Sequence, residues 1–126
     1  MPLRSQTDIV TARQAVRRWA IDAGLSLVDQ TKLVTAASEL ARNTVEYGRG
    51  GDMHMEDVTD GIRRGIRLTF EDQGPGIPDI AQALSDGFTT GNGMGLGLGG
   101  SRRLVNEFEI TSTPGEGTRV VIARWK

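Results

Sequence analysis

Cysteine is absent from the 126 residues, which rules out disulfides, a thiolate nucleophile and a cysteine-ligated zinc site. Histidine occurs once, at His54, so a histidine-rich metal centre is excluded and a Ser-His-Asp triad has little room. No window approaches the roughly 20 apolar residues of a membrane-spanning helix, and the first residues carry no signal-peptide core. A charge excess is also missing. The 15 Lys and Arg against 16 Asp and Glu give a net charge of −1, without the basic excess of a nucleic-acid binder. With 37% hydrophobic and 25% charged residues, the chain reads as one soluble domain over residues 1–126, with no nucleic-acid or membrane partner. Glycine alone is abundant: 17 residues, about twice the usual share of roughly 7%.

The first six residues fit either a disordered tail or a short edge strand around Leu3. Over residues 8–23, Ile9, Ala12, Val16, Trp19 and Ala23 recur at helical spacing, with Thr7 or Asp8 as cap and Gly24 as the terminator. Ser26, with Asp29 three residues on, opens a second helix that runs to Tyr47 and stops at Gly48. Residues 53–58 form a strand, and the alternation of Ile66, Leu68 and Phe70 gives its partner across a loop at 59–64. Asp79 caps a short helix through Leu84. A third helix is expected from residues 96–99 to Phe108, and strands at 109–113 and 118–125 close a hairpin around Pro114-Gly115-Glu116-Gly117. Hairpin-paired strands beside one-face-apolar helices make a two-layer α+β sandwich.

Three segments carry chemistry. Glu39 and Asn43, four residues apart on the second helix, sit about 40° apart on its surface and point the same way. A carboxylate beside an amide oxygen suits a hard cation that keeps waters, such as Mg²⁺, although a solvated helix face would look the same. Asp72, followed by Gly74 and Gly76, presents a carboxylate at the mouth of a turn. It can accept from an exocyclic amine while Gly76 admits a flat ring, although such turns also occur for structural reasons alone. The run from Gly91 to Gly100 alternates glycines before a helix and makes a phosphate cradle. Gly95, Gly97 and Gly100 match a dinucleotide-binding spacing, but no buried strand precedes them and no βαβ unit surrounds them. No Gly-Lys-Ser/Thr occurs, so a Walker A loop is excluded.

The joint order of Glu-x-x-x-Asn, Asp-x-Gly-x-Gly and Gly-x-Gly-x-Gly resembles the nucleotide-binding boxes of the GHKL (gyrase, Hsp90, histidine kinase, MutL) superfamily, and Gly117-Thr118 resembles the Gly-Thr that follows them. Glu39-Leu-Ala-Arg-Asn43, Glu71 to Ile80, Asp86-Gly-Phe-Thr-Thr90, Arg102 to Phe108 and Pro114 to Thr118 look like the RsbT-type switch kinases of bacterial stress signalling, which are related to the anti-sigma-factor kinases. The resemblance implies a Bergerat-type α+β sandwich, a mostly antiparallel mixed sheet with helices on one face, and a cytoplasmic protein serine/threonine kinase that uses ATP and Mg²⁺. It places Mg²⁺ on Asn43 and a general base at Glu39. It gives Asp72 to the adenine amino group, with Gly74, Gly76 and Ile77 shaping the base pocket and Thr118 backing the ring. Gly93, Met94 and Gly95 would wrap the phosphates as part of a mobile lid. The implied substrate is a STAS-domain regulator in a stressosome-like complex, and the implied second role is activation of a PP2C-type phosphatase by binding.

Residues 77–101 contain no Lys or Arg, so the lid lacks the basic γ-phosphate ligand of related anti-sigma kinases; Arg102 or Arg103 could take its place or be surface charges. His54 reads as a sheet residue, Trp19 as core, and Arg17-Arg18 and Arg63-Arg64 as solvated pairs or a partner surface. The competing function is a non-catalytic, nucleotide-gated module that sequesters a regulatory protein. Retention of Glu39 favours the enzyme, because binding alone needs no base. A histidine-kinase domain fits less well, since no dimerisation helix with an acceptor His is present.

Overall fold

The computed structural model of the chain describes residues 1–84 and 98–126. The elements follow in the order β1 (Pro2–Leu3), α1 (Gln6–Asp22), α2 (Leu27–Arg42), a π-helical turn (Asn43–Tyr47), β2 (Gly51–Thr59), β3 (Arg64–Asp72), α3 (Ile80–Ala83), α4 (Leu98–Arg103), β4 (Glu107–Thr113) and β5 (Gly117–Trp125). The strands form one sheet in the order β1-β2-β3-β5-β4, and all four pairings are antiparallel. This is the α+β architecture read from the hairpin pattern, and the N-terminal stub is an edge strand.

Side-chain alternation decides which face is covered. Ile66, Leu68 and Phe70 on β3, with Val120 and Ile122 on β5, point into the layer where α1 contributes Ile9, Ala12, Val16 and Ala20. α2 supplies Leu33, Ala36, Ala37, Leu40 and Ala41 to the same core. The many alanines let the helices lie close to the sheet and to each other. His54 faces outward on β2, and Trp19 is partly buried against the core, as expected of both.

Local chemistry sets most boundaries. Ser26 caps α2 by accepting from the Asp29 N–H at 3.1 Å, and Asp79 caps α3 by accepting from the Gln82 N–H at 3.0 Å. α1 starts earlier than its apolar spacing indicates, because Ser5, not Thr7 or Asp8, is the cap and accepts from the Asp8 N–H. Gly24 ends α1 in the left-handed region at φ +83°. α4 is shorter than expected. It ends at Arg103 rather than Phe108, because Asn106 joins the sheet: its N–H donates to the Ala123 carbonyl, and its Oδ1 accepts from the Trp125 N–H at 2.7 Å. Phe108 then lies in β4, opposite Ile122.

Asp29 in the first turn of α2 receives a 2.6 Å hydrogen bond from Arg124 Nη2 on β5, and this guanidinium holds the carboxyl below its usual range. The side chains are 24% and 15% exposed, so the pair is screened less than a surface bridge. It fixes the start of α2 on the sheet. Asp29→Asn is expected to lower unfolding free energy by about 1–2 kcal/mol in urea titration at neutral pH. The folded pKa of Asp29 is lowered, so this stability is present above its unfolded value and disappears as pH falls through the folded one. The parent–variant gap should close in acid; a gap independent of pH would remove the charge from the account.

Candidate functional site

At its C-terminal end the second helix changes pitch. The Gly48 N–H donates to the Asn43 carbonyl five residues back at 2.8 Å, and the Gly50 N–H to the Thr44 carbonyl at 2.8 Å. Thr44 is buried and returns its hydroxyl to the Leu40 carbonyl. Such wide turns interrupt α-helices at functional sites more often than elsewhere. Here the helix turns Leu40, Asn43, Thr44 and Tyr47 toward a pocket. Its other walls are Phe70, Asp72, Thr118 and Val120 from the sheet, Ile77 from the turn after β3, and Leu98 at the start of α4.

Asp72 is the only ionisable carboxylate among the described residues of that lining. It stands at the end of β3, where its Oδ1 accepts from the Gly74 N–H at 2.9 Å. Burial raises its pKa above the ordinary carboxyl value, against the opposing backbone hydrogen bonds from Gly74 and Thr118. Three glycines make the room it needs. A Cβ on Gly48 would run into the Asp72 carboxylate, one on Gly117 into the Asp72 carbonyl oxygen, and one on Gly74 would lie 2.6 Å from the Gly48 carbonyl oxygen. Gly76, at φ +75°, backs onto the Thr113 carbonyl, and its own carbonyl oxygen accepts from the Tyr47 hydroxyl at 3.0 Å.

Ser112 links the two strand ends to the turn. Its Oγ accepts from the Ile77 N–H at 2.7 Å and lies 2.9 Å from Thr118 Oγ1 and 3.1 Å from the Gly117 carbonyl oxygen. One hydroxyl thereby sets the positions of Ile77 and Thr118 together.

Of the residues singled out in the sequence, Asn43, Asp72, Ile77 and Thr118 meet around this pocket, with Gly74 and Gly76 forming the turn behind them. Glu39 lies one turn before Asn43 and outside the lining; its Oε1 accepts from Arg42 Nη1 at 3.0 Å. Its side chain is 33% exposed. Gly93, Met94 and Gly95 lie outside the described residues. The amide oxygen of Asn43, on the pocket wall, is a donor that fits a hard cation. No group of three or more His, Cys, Asp or Glu side chains that could hold a metal exists among the described residues, so such an ion would complete its shell with phosphates and water.

Residues 28–126 match the family of histidine kinase-, DNA gyrase B- and HSP90-like ATPases. The chain is 45% identical over 123 residues to the serine/threonine-protein kinase RsbT of Bacillus subtilis (strain 168), covering 98% of this chain and 92% of the relative. The chain belongs to the RsbT-type branch of this ATPase family. Anti-sigma F factors are similar at greater distance, the one from Thermoanaerobacter sp. (strain X514) being 29% identical over 119 residues, or 90% of this chain and 82% of that protein. In three dimensions the catalytic domain of the histidine kinase ThkA superposes with a TM-score of 0.60 at 16% identity, over 98% of this chain and 93% of that one. The RsbU and RsbW domains of a Mycobacterium tuberculosis protein give 0.67 at 22%, over 100% of this chain and 33% of that one. These two structures share the fold.

Tyr47, Gly48 and Ser112 escaped the sequence reading. Ser112 had a usable signal, since closing the hairpin over 114–117 pairs it with Thr118. Gly48 reads from sequence as a helix stop and the start of a flexible joint, yet it is the wall behind Asp72. Gly48→Ala is expected to displace the carboxylate and weaken ATP binding about tenfold or more, the usual cost of overpacking, with the far-ultraviolet circular dichroism unchanged. Calorimetry showing parental affinity in a folded variant would remove Gly48 from the site.

Proposed function

We propose that the protein is an ATP-dependent serine/threonine kinase that phosphorylates a small regulatory protein in a cytoplasmic partner-switching module. The supporting observation is the half-buried Asp72 carboxylate in a pocket whose lining it shares with Asn43, in a chain 45% identical to a serine/threonine-protein kinase. A carboxylate so placed accepts a hydrogen bond from the adenine amino group, while Leu40, Ile77 and Val120 cover the ring. Asn43 would hold Mg²⁺ against the phosphates. The ion, when bound, neutralises phosphate charge.

The protein's part in the transfer is positional. The substrate serine or threonine oxygen attacks the γ-phosphorus, and the bond to the β–γ bridging oxygen breaks with its electron pair leaving on ADP. The hydroxyl proton goes to the Glu39 carboxylate, which first leaves Arg42. A STAS-domain protein is the proposed substrate, with a PP2C-type phosphatase as a second partner bound without phosphotransfer. The test is transfer from γ-labelled ATP to a STAS-domain protein co-purified with the chain from its native cell. Nucleotide-dependent capture of that protein without label would instead support the binding-module reading.

A further inference from the structure

Behind the Asp72 turn lies a second cleft of about 370 Å³, lined by Arg4, Arg49, Gln73, Pro75 and the backbones of Gly48, Gly50, Gly74 and Gly115. No carboxylate is among these residues. Arg4 comes from the β1–α1 junction, and its Nη1 lies 3.8 Å from where a Gly50 Cβ would stand, so its side chain lies along that glycine. Arg49 follows the π-helical turn directly after Gly48.

Two observations bear on this pair, its lack of carboxylate partners and the backbone of Arg49. Arg42, Arg63, Arg64, Arg67, Arg119 and Arg124 each lie within ion-pair distance of a carboxylate. Arg4 and Arg49, like Arg13, Arg17, Arg18 and Arg102, have no such partner among the described residues, but Arg4 and Arg49 share a cleft without a carboxylate, whereas Arg13, Arg17 and Arg18 line one that contains Asp22. Arg49 is also the one non-glycine residue with positive φ among the described residues, at +62°. That backbone is strained for any side chain, and a glycine would hold it at lower cost. Strain of this kind clusters where a side chain must be aimed. The negative end of the α2 dipole favours a cation nearby, but a residue inside the last turn would meet it without strain, and it does not call for a second arginine from another element.

We propose that the Arg4–Arg49 cleft is an anion site, distinct from the nucleotide pocket, that takes a phosphoryl dianion. Two guanidinium groups and the Gln73 amide, from three different segments of the chain, supply two positive charges and several donors, which suits a dianion with three acceptor oxygens better than a singly charged carboxylate. The cleft and the pocket share a wall: Gly74 packs on Gly48, and Gly48 packs on the Asp72 carboxylate. Occupation of the cleft therefore reports on a surface continuous with the nucleotide site but uses none of the side chains that line the pocket.

The source of the phosphoryl group is free phosphate or a phosphorylated side chain, and the test separates them. The full chain, isotopically labelled and free of nucleotide, is titrated above neutral pH at constant ionic strength with inorganic phosphate, with O-phosphoserine and with acetate, and its amide resonances are followed. Phosphate and O-phosphoserine should give saturable shifts at Gly50, Gly74 and Gly115, and acetate should give none. Tighter binding of O-phosphoserine assigns a protein-borne group; equal binding assigns free phosphate. Arg49→Gly keeps the backbone conformation and removes the charge, and Arg4→Gln removes the other; each should weaken binding about tenfold or more. Saturation retained in both variants, an equal response to acetate, or shifts confined to Ile77 and Thr118 would overturn the proposal. None of these outcomes depends on ATP turnover.

Discussion

Asp72→Asn is expected to lower ATP affinity by about ten- to a hundredfold while leaving the nucleotide-free chain at least as stable as the parent. Both halves follow from the same burial. The Gly74 and Thr118 N–H groups already point at the carboxylate, and its remaining lone pairs face the pocket. An amide offers one acceptor oxygen and no charge, so it cannot serve the backbone and the adenine amino group equally. Losing a hydrogen bond to a charged acceptor costs about 1.5–3 kcal/mol, or roughly ten- to a hundredfold. GTP presents a carbonyl where ATP presents the amine and leaves the carboxylate unpaired, so ATP should bind at least about tenfold tighter. The stability half depends on sign. Because the folded pKa of Asp72 is raised, its charge destabilises the fold at neutral pH, and the penalty is relieved as pH falls through that pKa. ATP affinity should fall over the same interval, at higher pH than an ordinary aspartate would give. Calorimetry of both nucleotides and thermal melts of both apo proteins check this. Equal affinity for ATP and GTP would remove Asp72 from the adenine contact.

What could be read from the sequence was local. Ser26 with Asp29, Asp79, Gly24 and the turn over 114–117 act within a few residues, and each stands where its pattern places it. The boundary at residues 104–108 is different, because Leu104, Val105 and Phe108 have helical spacing and also suit a strand edge. The hydrogen bonds of Asn106 to β5 decide between the two. The π-helical turn rests on a change from four-residue to five-residue hydrogen bonding that no residue type announces. Arg124 meets Asp29 across 95 residues, and only the finished sheet brings them together. The site divides along the same line. Asn43 and Asp72 were legible because their motifs occur in a recognisable order, whereas Gly48 and Ser112 matter through what they touch across the fold.

Glu39→Ala should leave ATP–Mg²⁺ binding nearly intact and reduce phosphotransfer by about 10²–10⁴, the range for removal of a general base. Its place outside the pocket lining and one turn from Asn43 explains why binding should survive: nothing that covers the adenine is removed. The ion pair with Arg42 has to open before the carboxylate can take a proton. That pair is solvent-exposed, at 50% and 33%, and such pairs contribute about 0–1 kcal/mol. The opening cost is small beside the roughly 3–5 kcal/mol that a 10²–10⁴-fold rate loss represents. Arg42→Ala should therefore change the rate by less than about fivefold, and the two variants separate a base from a structural partner. Asn43→Ala gives the converse result, losing the metal-dependent part of ATP affinity. The measurements are single-turnover transfer to the partner protein and calorimetric ATP binding with and without Mg²⁺. A Glu39→Ala protein that transfers phosphate at the parental rate would make Glu39 a solvated face residue that pairs with the arginine three positions on.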